Sequence, residues 1–223
     1  MSIKATESEK LFEDLCVAHK INYERISTSS ETGEQRPDYK ITTQSGQSIY
    51  FEIKQFDPNP VERDVLKAGE CTRRFDFPSD EIGERVRNAI RKASRQLKAL
   101  SGGNHPSVIV IYNNVPYRVF HTDSYAVLVA MRGFDRISII TPDDPTESPV
   151  AGEMRTGGKK KFTAKDNTSV SAVAILFKTD TGDIGLNVYH NRFAKVPLQP
   201  EDLHGESIYH FRMVEDESDW INY

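Results

Sequence analysis

The chain has 223 residues, 37% apolar and 28% charged, a balance that suits a folded soluble domain with one buried core and excludes a disordered chain. A formal net charge of -4 argues against a protein whose whole surface coats nucleic acid, while leaving room for a local basic face. No run of about 18 apolar residues is present, so no membrane span is expected.

The N-terminal segment "MSIKATESEKLFEDL" is acidic and has no apolar signal core, which points to the cytoplasm. "ESEKLFEDLCVAHKI" predicts an opening helix with Leu11, Leu15 and Ala18 on one side and Thr6 or Ser8 as its cap. "NYERIST" follows as a first strand. "DYKITT" and "SIYFEIKQF" then alternate around the Gly-containing turn "QSGQ", which predicts a hairpin. Residues 57–79 carry three prolines and predict a long polar connection.

The clearest helix lies in "DEIGERVRNAIRKASRQLKALSGG", capped by Ser79 or Asp80 and stopped by Gly102. Its expected core stripe is Val86, Ile90, Ala93, Leu97 and Leu100, with Arg87, Arg91, Arg95 and Lys98 on the opposite side. "SVIVIYN" predicts a buried strand, "DSYAVLVAMRG" a short helix and "RISIIT" a strand. Residues 142–169 are expected as an extended loop. "SVSAVAILFK" and "DIGLNVYHN" make a hairpin through "TDTGD", and the tail from residue 197 is acidic and interrupted by proline. No repeat or interdomain linker stands out, so the expectation is one α/β domain over residues 1–223.

The chemistry-bearing stretch is "RPDYKITTQSGQSIYFEIKQF". Cleaving a phosphodiester at neutral pH requires neutralised phosphate charge and a hydroxide-like nucleophile, and a carboxylate-held Mg²⁺ supplies both. Asp38 and Glu52 meet that need if their strands pair. Lys54 lies on the same strand face as Glu52, about 7 Å along, where it can orient or activate the attacking water. Taken alone the pattern is unspecific, since a chain this long holds about one Pro-Asp and one Glu-x-Lys by chance. Asp38-Tyr39-Lys40 is itself a decoy, and the solvated face of a hairpin carries the same residues.

In context, the order is helix, strand, Pro-Asp strand, Gly turn, Glu-x-Lys strand, helix, apolar strand. This resembles the PD-(D/E)xK nuclease superfamily, with its restriction endonuclease-like fold. Pro37-Asp38 matches the first motif and Glu52-Ile53-Lys54 the second, with thirteen residues between the two acids. The resemblance covers about residues 7–113. It implies a mixed central sheet flanked by helices, with residues 114–223 adding extra C-terminal strands. It also implies Mg²⁺- or Mn²⁺-dependent cleavage of nucleic acid, usually DNA, in a setting such as restriction, repair or phage defence. Asp38 and Glu52 are then the metal ligands. Many members add a glutamate from the opening helix, for which Glu9 and Glu13 are both open. Some add a glutamine or lysine from the second helix, where Gln96, Arg85 and Lys92 border the core stripe. Many act as homodimers, and an alternative role is a non-cleaving binding module or a subunit of a larger complex.

Two basic features are candidate phosphate contacts: the row Arg87, Arg91, Arg95 and Lys98, and the Gly-Gly-led Lys159, Lys160 and Lys161. Both also fit ordinary solvated surface. His190-Asn191 is expected as a hydrogen-bonded strand end. His105, His121, His204 and His210 show no ligand spacing. The chain has no phosphate-loop or Gly-x-Ser-x-Gly motif. Cys16 and Cys71 have no ligand-like neighbours, so neither zinc nor a disulfide framework is expected.

Overall fold

The structure, a computed structural model, describes residues 5–26, 37–68, 82–116, 119–142, 144, 146–179, 181–213 and 220–223, with the backbone alone at 135–136 and 154–157. Helix α1 (Glu7–Ala18) begins in a reciprocal capping box. The Thr6 hydroxyl accepts from the Glu9 amide, and the Glu9 carboxylate accepts from the Thr6 amide at 2.6 Å. It buries Leu11, Phe12, Leu15 and Cys16 rather than Ala18, which is exposed.

Strands β1 (Tyr23–Arg25), β2 (Tyr39–Thr42) and β3 (Ser48–Phe56) form an antiparallel meander. Period-two alternation sorts β3 cleanly. Ile49, Phe51 and Ile53 pack under α1, while Glu52, Lys54 and Phe56 take the opposite face.

The segment after β3 differs from the expected polar connection, because residues 60–68 form helix α2 (Pro60–Ala68). Asn59 and Glu62 make a second reciprocal box, each side chain accepting from the other's amide at 2.8 Å. Pro60 fits the first helical position, where no amide donor is needed.

Helix α3 (Glu84–Ser101) follows. The expected caps Ser79 and Asp80 lie outside the described residues, and the residue ahead of the helix is Gly83. Its φ of 71° and the Ala126 carbonyl, 2.5 Å from where a Cβ would stand, leave room only for glycine. Gly102 ends the helix in the left-handed conformation. The stripe Val86, Ile90, Ala93 and Leu97 is buried, but Leu100 is 37% exposed and Ser101 takes its inward place. At 3.6 residues per turn, the inward position after Leu97 falls at 101 in this packing.

Helix α3 carries the chain from β3 to its parallel neighbour β4 (Ser107–Asn113). The apolar run Ser107–Ile111 is buried on both faces, as a central parallel strand requires. Helix α4 (Ser124–Arg132), capped by Asp123, packs beside α3.

Strand β5 (Phe134–Ile140) pairs with β6 (Val150–Gly158) in a separate two-stranded sheet, so residues 142–169 are not one extended loop. The hairpin of β7 (Ala172–Lys178) and β8 (Ile184–His190) forms as expected. The tail, read only as acidic and proline-interrupted, adds two more strands, β9 (Ile208–Met213) and β10 (Trp220–Asn222). The main sheet is mixed, in the order β1-β2-β3-β4-β7-β8-β9-β10. Helix α1 covers one face and α3 with α4 the other. Among the described residues, no helix is long and apolar enough to cross a membrane.

Candidate metal centre

Asp38 stands immediately ahead of β2, and the register that sets Tyr39 opposite Phe51 brings it opposite Glu52. Two bonds lock this placement. The Asp38 amide donates to the Phe51 carbonyl at 3.0 Å, and the Ile53 amide donates to Asp38 Oδ2 at 2.7 Å. Asp38 thus brackets Glu52 through both of its chain neighbours, and the two carboxylates share one face of the sheet.

Glu52 is 1% exposed, beneath α3. The Lys54 ammonium, 26% exposed, lies directly on Glu52 Oε1 and also donates to Gln96 Oε1 at 3.3 Å. Among the described residues, Glu52 Oε2 is buried and has no hydrogen-bond partner. Burial, and then the neighbouring Asp38 charge, push the Glu52 carboxyl up to about 7 against the opposing pull of Lys54 and Gln96. Burial also pushes Asp38 upward, with Glu9 adding to it, although the Ile53 amide, Lys54 and Arg25 pull the other way.

Both helix acids come close to the hairpin, and they differ in what holds them. Glu9 pairs with Arg25 at 2.6 Å and closes the α1 cap. Burial raises its carboxyl, but the Thr6 amide and Arg25 more than offset this and hold it below the ordinary value. Glu13 instead accepts from the Tyr39 hydroxyl at 2.8 Å, on the α1 side of the sheet. Of the two helix acids, Glu9 is the one whose charge acts on Asp38, alongside those of Lys54 and Arg25. Arg25, which links Glu9 to the hairpin, was not among the candidates; its only sequence signal is its place on the strand before Asp38.

The basic candidates separate into three groups. Lys92, Arg91, Arg95 and Lys98 are exposed on α3, with Lys92 one turn before Gln96. Arg87 does not share that face. It is 2% exposed, paired with Glu84 at 3.0 Å, and its guanidinium lies 5.0 Å over the Phe134 ring, because β5 folds against the side of α3 that periodicity left open. Arg85 is likewise withdrawn, bonded to Glu62 at 2.6 Å and to the Asp57 carbonyl at 3.3 Å. The third group, Lys159–Lys161, is not a free flap. It follows the last residue of β6 and is tied to α4 by the Lys161 amide bond to the Ala130 carbonyl.

His190 ends β8 against His210 at 2.8 Å, and Asn191 bonds the Val170 carbonyl. Both are structural strand-end contacts. His121 bonds Glu62 at 2.8 Å.

Among the described residues, no group of three or more His, Cys, Asp or Glu gathers as a metal cage. A hard Mg²⁺ ion asks less, since one or two carboxylates with water complete its shell. Two carboxylates in register, one with a buried oxygen lacking any partner, fit such an ion. Two cavities lie elsewhere, one beside Glu62 and His121 and one beyond α4. The chain matches no protein-family model, no curated protein and no solved structure.

Proposed function

We propose that the chain is a divalent-metal-dependent nuclease with a restriction endonuclease-like core of the PD-(D/E)xK type, acting on nucleic acid and most naturally on DNA. The observation that carries this reading is Glu52. A carboxylate that is 1% exposed and set beside a second carboxylate, with Lys54 on one oxygen and no hydrogen-bond partner for the other among the described residues, is costly for a fold to keep unless a further cation answers it. The order of elements from α1 to β4 supports the same reading, because the superfamily core has that order.

In this reading Asp38 and Glu52 hold Mg²⁺ or Mn²⁺, which when bound neutralises phosphate charge and acidifies water. Lys54 orients the attacking water, and Gln96 positions the ammonium from 3.3 Å. Glu9 tunes the charge at Asp38. The exposed Lys92, Arg91, Arg95 and Lys98 on α3 offer contacts to the nucleic-acid backbone. Arg85 and Arg87 take no part, being committed to Glu62 and Glu84.

One observation favours a second reading, a module that keeps the fold and binds without cutting. The Lys54 ammonium already sits on the carboxylate that a metal would use. Cleavage assays decide between the two. Single- and double-stranded DNA and RNA are incubated with Mg²⁺, Mn²⁺ or EDTA, alongside Asp38→Ala, Glu52→Ala and Lys54→Ala. Metal-dependent cleavage that falls on the order of 100- to 1000-fold in each variant is expected. Full activity in Glu52→Ala would end the nuclease reading.

A further inference from the structure

A nucleic-acid strand lying over Asp38 and Glu52 has to pass Glu9 as well, whose charge acts on Asp38. A bound metal answers the scissile phosphate, while the phosphates on either side still meet that negative field. The exposed bases of α3 stand on one side of the centre, because α3 packs over β3 and β4. On the other side β1 lies beyond β2 in the sheet, and it carries Arg25.

The backbone fixes where Arg25 stands. It faces Tyr39 across the β1–β2 ladder, and the next amide, that of Ile26, donates to the Asp38 carbonyl at 2.9 Å. Its side chain is 42% exposed, against 24% for Arg85 and 2% for Arg87, so it is the one of these three ion-paired arginines that a ligand reaches without unpacking the fold. Glu9 holds it through Oε1 alone, at 2.6 Å. The other Glu9 oxygen accepts from the Thr6 amide at 2.6 Å and the Thr6 hydroxyl at 3.1 Å. Glu9 therefore keeps its cap bonds when Arg25 turns away from it.

A single-point pair of this kind is weaker than the two-point contact a guanidinium fork makes with phosphate. The fork also has a firm platform. The guanidinium lies 5.7 Å over the ring of Tyr39, which is 0% exposed and donates its hydroxyl to Glu13 at 2.8 Å.

We propose that Arg25 binds the backbone phosphate next to the scissile one, on the β1 side of the centre, exchanging its pair with Glu9 for that contact. The proposal rests on nucleic acid lying at Asp38 and Glu52, a feature the cutting and the non-cutting readings share. The strand is then gripped on both sides of the carboxylates, by α3 and by β1.

The full-length Glu52→Gln chain, in EDTA so that no strand is cut, is titrated with labelled single- and double-stranded oligonucleotides at several salt concentrations. Fluorescence anisotropy gives the affinity and its slope against salt. Adding Arg25→Ala should weaken binding about tenfold and reduce the slope by one phosphate contact, ~0.9 for a duplex or ~0.7 for a single strand. Arg25→Lys keeps the charge, so it should restore the slope and recover only part of the affinity. The Arg25–Glu9 pair is solvent-exposed, so both variants keep the fold.

A slope unchanged in Arg25→Ala overturns the proposal, and so does Arg25→Lys binding no better than Arg25→Ala. An equal drop in Lys178→Ala, which removes the same charge from an exposed position two strands from β3, also overturns it. Absence of binding to every oligonucleotide does the same. Metal-dependent cleavage by the unmutated chain with an unchanged slope removes the Arg25 contact and leaves the nuclease reading. A reduced slope without cleavage keeps the contact and favours the binding module.

Discussion

Two glutamates are buried among the described residues, ten positions apart, and the fold treats them in opposite ways. Glu62 on α2 has both oxygens bonded. One oxygen accepts from the Asn59 amide and Arg85, the other from His121. Burial raises its carboxyl, but the Asn59 amide, His121 and Arg85 more than offset the rise and hold it below the ordinary value. Glu52 on β3 is buried just as deeply, with one oxygen bonded and one bare, next to a second carboxylate. A satisfied buried charge fastens elements together, whereas an unsatisfied one marks a place kept for something else.

The largest expected effect tests the fastening half. Glu62→Ala removes a helix cap and strips Arg85 and His121 of their shared partner, so it should destabilise the fold by about 3 kcal/mol in chemical denaturation. The value sits at the low end for a broken buried pair because Arg85 keeps some solvent contact. An unchanged denaturation midpoint would erase the distinction between the two sites.

Glu52→Gln should move stability the other way. The folded carboxyl titrates at about 7 against an ordinary 4.5, so the folded chain holds its proton longer than the unfolded chain does. Stability then falls as pH rises from 4.5 to 7, by about 3 kcal/mol in total. In EDTA the variant should melt higher than the unmutated chain at pH 8 and level with it near pH 4.5. Adding Mg²⁺ should raise the melting temperature of the unmutated chain alone. A variant that melts lower at pH 8 contradicts the view of Glu52 as a charge that Lys54 only partly compensates.

Gln96→Ala leaves the two carboxylates in place and frees the Lys54 ammonium on one side. A loss of roughly 10- to 100-fold in cleavage with little change in stability is expected, measured by single-turnover kinetics. Smallest of all, Thr6→Ala opens the box that restrains Glu9 and should cost about 1 kcal/mol by thermal melting.

The hairpin of Asp38, Glu52 and Lys54 was legible because strand alternation is local: apolar Ile49, Phe51 and Ile53 on one side oblige Glu52 and Lys54 to share the other. Helix α3 was legible for the same reason, through its 3.6-residue stripe. Helix α2 was legible in principle, since Asn59-Pro60-x-Glu62 is a capping box with proline at the first helical position, but three prolines in one segment read as loop. Arg87 could not be placed, because its burial depends on Phe134 arriving from a strand 47 residues later. The cavity beyond α4 was invisible for that reason too. Arg132, Lys160, Arg192 and Trp220 are spread over nearly ninety residues and meet only when β8, β9 and β10 extend the sheet.

The sequence by itself thus determined the hairpin, the stripe of α3 and the shared face of Glu52 and Lys54, since these follow from side-chain alternation and turn chemistry over a few residues. Only the tertiary structure decided which glutamate is satisfied, which arginines are drawn into buried ion pairs, and where distant segments converge. Those outcomes depend on desolvation and on partners brought from distant segments, and neither has a local signature in the chain.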